Sequence, residues 1–376
     1  MNQPKIKFLT PTTLVLLLLL GIGGVAGVNR LLHGLGAATN LTNLWPWGLW
    51  ISLDVLGGVA MAAGGFIIAG TVYILNWKKY KPIVRPAILN AFFGYIVAAA
   101  SIFFDIGQPF RVWHPMVMWQ VHSVMFVVAI HVVLYSSTLA LESSPMVFEK
   151  LGMDGAFRFV NKIMVPIVIF GVVLSTLHQS SLGAVFLILP TKLSPLWHNG
   201  LLPYHFLVSA VVMGLSMVSF EAVLSRRAFG HKTDMAIMSG LARGSQIALG
   251  VYLLMKLWTL LTGPGLGAAF AGDFAANMYL LEVALGVLLP LALFSLPGVR
   301  SNVRSIFAAN IVVIVGILLN RLNVGIFGIA GYASRLGADY FPSFSEFALT
   351  GAMVAFAVLG FKLSAMYLNL YPKTEH

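Results

Sequence analysis

Asp54, Asp105 and His178 are titratable side chains set in or at the ends of long apolar stretches, in a chain that is 59% hydrophobic and only 9% charged. An ionisable group in such a place is costly. It tends to face a cavity, to pair with another such group, or to mark a ligand or proton path. Two carboxylates and an imidazole can hydrogen-bond to the polar head of a bound molecule and pass protons to it. The run Trp45-Pro46-Trp47-Gly48-Leu49-Trp50 adds indole surface at the level of Asp54. Trp47 and Trp50 are therefore candidate walls for a flat aromatic ligand, with His122, Gln179 and Trp119 as further lining residues. A quinone suits this set: its ring stacks on aromatics, its tail lies in lipid, and its reduction needs a proton donor beside each carbonyl.

The elements that must hold these groups are ten apolar stretches, at 11–29, 48–75, 87–106, 119–141, 161–182, 203–225, 241–262, 273–297, 305–329 and 345–371. Each is near the length of about 20 residues that crosses the hydrocarbon of a bilayer. The pattern predicts an all-α polytopic membrane protein with about ten transmembrane helices. A mean hydropathy of +0.90 agrees, and 9% charged residues is far from the roughly 25% of a soluble domain. The first stretch follows Lys5 and Lys7 and contains the run Leu14 to Leu20, much like a secretory signal. No small-residue cleavage site follows it, so it is expected to stay as a helix.

Sixteen of the 23 Lys and Arg residues fall at the termini and in every second gap; Arg30, Arg111, Lys192 and Arg335 occupy the other gaps, and Lys256, Arg321 and Lys362 lie inside stretches. Loops rich in Lys and Arg resist translocation, so the basic side and both termini are expected in the cytoplasm of a bacterial inner membrane. The net charge of +11 is spread over these short loops rather than gathered on one face, which argues against nucleic acid as a partner. Because the chain has no cysteine, single cysteines report cleanly. Cysteines introduced beside Lys79 and Arg227 should be shielded from an impermeant outside label, and those in 107–118 and 183–202 should react. Labelling at Lys79 from outside would reverse the orientation.

With that orientation, most polar groups inside the stretches gather toward the outer face. Asp54 lies about two turns in, Asp105 closes the third stretch, His122 opens the fourth, His178 and Gln179 sit near the outer end of the fifth, and His205 opens the sixth. Asp273 after Ala271-Gly272 reads as a helix N-cap, and Glu346 in Ser343-Phe344-Ser345-Glu346 as the closing residue of a capping box. Arg321 is expected to pair with Glu282 or to reach outward. Toward the cytoplasm, His131, Glu142 and Glu221 make a candidate proton path, with salt bridges near the headgroups as the ordinary alternative for the two glutamates. The lack of cysteine excludes a thiolate-held iron–sulfur cluster or a thioether-attached haem in this chain. His131 is the one histidine at mid-membrane, so a haem held by two histidines is not expected either. Electrons would have to come from metal centres on another chain. A proton-coupled secondary transporter is the alternative use of such carboxylates, but paired, broken half-helices are not evident.

Further motifs resemble a known family. Arg85-Pro86-Ala87, Asp105-Ile106-Gly107, Phe148-Glu149-Lys150-Leu151-Gly152, His178-Gln179-Ser180-Ser181-Leu182-Gly183, Pro195-Leu196-Trp197, Phe220-Glu221, Ala269-Phe270-Ala271-Gly272-Asp273-Phe274, Arg321-Leu322 and Tyr340-Phe341-Pro342 follow Trp45-Pro46-Trp47-Gly48 and Asp54 in order. Over nearly its whole length the chain resembles the integral membrane subunits of Hyb-type periplasmic [NiFe]-hydrogenases, within the wider NrfD and polysulfide-reductase membrane-subunit family. The resemblance implies a membrane anchor that reacts with quinone (menaquinone or ubiquinone). It implies a periplasmic ferredoxin-like subunit with [4Fe–4S] clusters and the hydrogenase small and large subunits as partners. It also implies two four-helix bundles: 48–182 with the quinone site near the outer surface, and 203–329, flanked by a first helix and outer loop in 1–47 and a last helix and tail in 345–376. Polysulfide, nitrite, sulfite-linked and alternative complex III assemblies share this membrane part and are the nearest rivals.

Overall fold

In the computed structural model, which describes residues 8–230 and 234–371, ten helices are long and apolar enough to cross a membrane. They are α1 (Pro11–His33), α2 (Trp50–Tyr73), α3 (Lys78–Asp105), α4 (Val124–Leu151), α5 (Met164–Ile188), α6 (Leu202–Phe229), α7 (Met235–Thr262), α8 (Phe274–Ser295), α9 (Val303–Arg335) and α10 (Phe344–Tyr367). Lys5, Lys7, Lys232 and Lys373, which count toward the basic side, lie outside the described residues. The fourth helix begins later than its hydropathy indicates. Ser123 caps it by accepting from the Phe126 N–H at 3.4 Å. Trp119 and His122 therefore lie on the exposed stretch before α4, not inside it. The last helix likewise stops at Tyr367, short of residue 371.

Packing closes two rings of four. α2 packs on α3 and α5, and α4 on α3 and α5; α6, α7, α8 and α9 close the second ring. α1 and α10 pair with each other, and α10 lies against α3. Among lipid tails, apolar helices gain little by hydrophobic burial against one another, so close contact must come from small residues. Where α2 of the first ring crosses α6 of the second, a Cβ on Gly214 would sit 2.5 Å from the Gly64 nitrogen. Within the second ring, a Cβ on Gly316 of α9 would sit 2.2 Å from the Gly286 Cα of α8.

The helices break their regular pitch where buried polar groups occur. π turns occupy Trp50–Val55, Ala284–Leu288 and Asn323–Phe327. The first carries Asp54; the other two begin just after Glu282 and Arg321. One extra residue in a turn re-aims the side chains around it, which is why such turns recur at functional sites. α2 breaks again at Ala63, whose N–H bonds the Ala60 carbonyl at 3.2 Å and leaves the Val59 carbonyl for another donor.

Helix ends follow the sequence closely. Asp273 Oδ1 accepts from the Ala276 N–H at 2.7 Å, and Ser343 and Glu346 form the full capping box of α10. Arg30 departs from expectation. It is buried in the last turn of α1 rather than exposed in a loop, and donates from Nε to the Phe104 carbonyl at 2.8 Å and from Nη2 to the Ile106 carbonyl at 2.7 Å. Those carbonyls lie at the C-terminal end of α3, the negative end of its dipole, where a cation is favourable.

Candidate functional site

Two polar centres lie on opposite faces of α2, one between the first ring and α10 and one inside that ring. The first surrounds Asp54. Its Oδ2 accepts from Thr350 of α10 at 2.8 Å and from Ser101 of α3 at 3.4 Å. The carboxylate is buried, and no Lys or Arg pairs with it among the described residues. Trp50 faces the same way: its indole Nε1 donates to the Glu346 carbonyl at 3.1 Å, and its ring packs with Val97, Leu349 and Met353. Asp105 lies farther out on α3, with Oδ1 buried and unpartnered. Above it, Tyr340 donates to Glu346 and itself accepts from the Leu49 N–H at 3.0 Å. Burial, with the Glu346 carboxylate beside it, holds the Tyr340 phenol above its ordinary pKa.

The second centre surrounds His178 on α5. The imidazole is fully buried, and neither ring nitrogen has a hydrogen-bond partner among the described residues. Its ring lies 5.5 Å from Tyr95 of α3 and 6.0 Å from His131 of α4. Tyr95 stands edge-on to Tyr135 of α4 at 4.6 Å, and Ser175 of α5 lies against both phenols. The Ser175 hydroxyl is shared between the two phenols, and the His131 Nδ1 is without a partner among the described residues. A buried polar group left unpaired costs about 1–3 kcal/mol, so three unpaired ring nitrogens in one place are not a packing accident. Gln179, next to His178, donates to the Val59 carbonyl freed by the break in α2, at 2.8 Å. Trp47 lies half-buried at the end of this centre away from the basic loops, edge-on to Phe186 at 5.1 Å.

From His178 the polar line runs down α4. Glu142 lies beside Tyr135 and fits because α5 has Gly171 there: a Cβ would meet Glu142 Oε1 at 2.8 Å. Glu142 Oε2 is unpartnered. His131 and Glu142 are eleven residues apart, about 16 Å along a helix. Below Glu142, Arg85 and Glu149 form a salt bridge at 2.7 Å on the basic face. Glu221 is separate from this line. It is held by Ser225 at 2.5 Å and by Tyr371 at 3.0 Å, whose phenol is pushed up by burial and by the Glu221 carboxylate.

In the second ring, Glu282 pairs with Lys256 of α7, not with Arg321. Arg321 instead donates to Asn320 Oδ1 at 2.7 Å and Ser209 Oγ at 2.8 Å, and lies 3.9 Å over the Phe206 ring. Neighbours on a helix point about 100° apart, so when Asn320 faces Glu282, Arg321 must face α6.

Known proteins give this arrangement a context. Residues 37–333 match the family model for polysulphide reductase, NrfD. The chain belongs to the NrfD family. A protein of Nitratidesulfovibrio vulgaris is 35% identical over 98% of each chain. The probable Ni/Fe-hydrogenase 2 b-type cytochrome subunit of Escherichia coli is 32% identical over 92% of this chain and 88% of that one. The integral membrane subunit of a menaquinone reductase, also from N. vulgaris, is 29% identical over 94% and 90%. This NrfD chain is therefore similar to membrane subunits of oxidoreductase complexes.

The E. coli relative's name raises the question of haem. Two axial histidines need a flat slot the width of a macrocycle between them. The rings of His131 and His178 lie 6.0 Å apart, but the fully buried Tyr95 and Tyr135 fill the space beside them. These residues do not form such a slot. Of the groups singled out from sequence, the fold brings His178, Gln179 and His131 together, sets Glu142 farther down α4 on the same line, sets Asp54, Trp50 and Asp105 behind α2, and leaves Trp119 and His122 on the surface. Tyr95, Tyr135 and Ser175 carry no sequence signal, because tyrosine and serine are ordinary in membrane helices.

Proposed function

We propose that this chain is the quinone-reactive membrane subunit of a periplasmic [NiFe]-hydrogenase complex. It would pass electrons from a partner iron–sulfur subunit to menaquinone or ubiquinone, at the end of α2–α5 opposite the basic loops, in the bacterial inner membrane. The observation that carries this reading is the buried His178 imidazole, both nitrogens free, set among Tyr95, Tyr135 and His131. Relatives named as a hydrogenase subunit and a menaquinone reductase subunit support the donor and the acceptor.

In this reading Trp47 walls the quinone ring and Gln179 fixes α5 against α2. His178 hydrogen-bonds one carbonyl and gives it a proton as the ring is reduced. Asp54, a buried acid held only by two hydroxyls, acts as a proton-transfer partner from behind α2, and Asp105 tunes or relays. Protons return to His178 through His131, the two tyrosines and Glu142 from the basic face. Drawing them from the cytoplasm while electrons enter from outside makes turnover electrogenic. Glu221 stands apart from this line, so the supply enters at Glu142.

Purification through a tag on this chain, in mild detergent, tests the assignment. An iron–sulfur protein and a nickel-containing pair should copurify, and hydrogen should reduce a menaquinone analogue in the pool. A different catalytic partner would move the chain to another NrfD-type complex, and recovery of the chain alone would favour a transporter.

A further inference from the structure

The second ring holds a buried charge cluster that the quinone reading does not use. Lys256 of α7 donates to Glu282 of α8, whose carboxylate also accepts from Asn320 and Asn323 of α9 and from the Trp197 indole, each at 2.8 Å. Arg321 of α9 joins through Asn320 and has no carboxylate of its own. One anion therefore faces two cations in the membrane interior. His205 of α6, Tyr252 of α7 and Tyr279 of α8 face the same centre. Tyr252 Oη, Arg321 Nε and Asn323 Oδ1 are buried there without partners among the described residues. A purely structural cluster would be expected to satisfy its polar atoms.

A ladder of small polar groups leads away from it along one face of α6. Ser209 receives Arg321, Ser216 meets Ser245 of α7 at 3.5 Å, and Ser219 accepts from Asn310 of α9 at 2.7 Å. These serines lie within about 80° of arc and span about 15 Å of helix. Val223, Met238 and Ile306, all buried, close the ladder on the basic side. At its other end Trp197, from the loop between α5 and α6, seals the cluster from the opposite face. The cluster also touches the first ring. A Cβ on Gly325, in the π turn that carries Asn323, would sit 2.1 Å from Ser52 Oγ, in the π turn that carries Asp54.

We propose that Lys256 and Glu282 form a second proton-carrying site, loaded through the ladder and driven by quinone chemistry through the contact between the two π turns. The inference rests on the quinone reading. In the carrying step, an N–H bond of Lys256 breaks as Glu282 Oε1–H forms, giving a neutral amine and a neutral acid. The acid then loses its proton to water beyond Trp197, and the amine regains one taken from hydronium on the basic side and relayed past Val223, Met238 and Ile306 along Ser219, Ser216 and Ser209. No electrons move in this cycle. The uncompensated Arg321 charge favours release, because it disfavours every added proton nearby.

The test uses the whole complex in liposomes that hold a menaquinone analogue, with hydrogen as donor and dyes reporting proton movement and quinone reduction. Lys256→Met removes the carrier. Asn310→Leu cuts the ladder at a distance and keeps the ion pair, which guards against a simple folding failure. With an uncoupler present, both variants should reduce quinone within about two-fold of the wild type. Without it, the protons moved per electron should fall to about half or less. An unchanged ratio in either assembled variant overturns the proposal, as does a wild-type complex whose proton movement is fully accounted for by quinone reduction. A complex that does not reduce quinone at all sinks the underlying reading, and this inference with it.

Discussion

His178→Ala is expected to lower hydrogen-dependent quinone reduction by about 10²-fold or more, the usual scale for losing a positioned acid or base. Asp54→Asn, which keeps the volume and removes the charge change, should act in the same direction. Neither residue lies where metal subunits would take up electrons in this reading, so reduction of an artificial acceptor by those subunits should survive in both variants. That contrast separates lost quinone chemistry from lost assembly. The two positions also report separately. His178 has no hydrogen-bond partner to lose, so its removal costs packing against Tyr95 and His131 alone. Asp54 has Thr350 and Ser101, and an asparagine oxygen can still accept from both. Wild-type quinone rates in both assembled variants would remove the site from these residues. A loss at His178 with none at Asp54 would confine it to the face of α2 toward α5.

Much of the scaffold was legible because it is written in local terms. Long apolar runs mark the ten helices, and Asp273 and Ser343 with Glu346 mark their own caps within one turn. The site was legible only as a set of residue types. Which groups meet depends on contacts across hundreds of residues, such as Thr350 on Asp54, and on π turns that no residue pattern announces. A regular α2 would have left the facing of Asp54 and Trp50 to the ordinary 3.6 period, and its extra residue turns both toward α10. The start of α4 was misplaced for a related reason. Val117, Met118, Trp119 and Val121 are apolar, yet they lie exposed on the stretch before the Ser123 cap. Hydropathy cannot tell an exposed apolar loop from the first turn of a helix. The partner of Glu282 was misread because Arg321 is the obvious cation by sequence, whereas the 100° step between Asn320 and Arg321 gives the contact to the amide.

Substitutions in the Lys256–Glu282 pair should be strongly and unequally destabilising. Breaking a buried ion pair on one side costs about 3–5 kcal/mol, since an uncompensated charge is left out of water. The two sides differ here because Arg321 stands nearby. Glu282→Gln leaves Lys256 and Arg321 as two cations in one buried centre and keeps only one of the two oxygens that accept from Asn320, Asn323 and Trp197. Lys256→Met leaves Glu282 with those three donors and with Arg321 one amide away, so anion and cation balance. Glu282→Gln should therefore lie at the upper end of that range and Lys256→Met at the lower end or below it. The double variant leaves Arg321 as the lone cation, the same net charge as in the wild type. Its loss should be smaller than the sum of the two single losses, the mark of a direct interaction. Thermal unfolding of the purified complex in detergent, followed through this subunit, measures all three. If Lys256→Met proved the more harmful, or if the losses simply added, the pair would not be the charge-balanced centre its geometry describes.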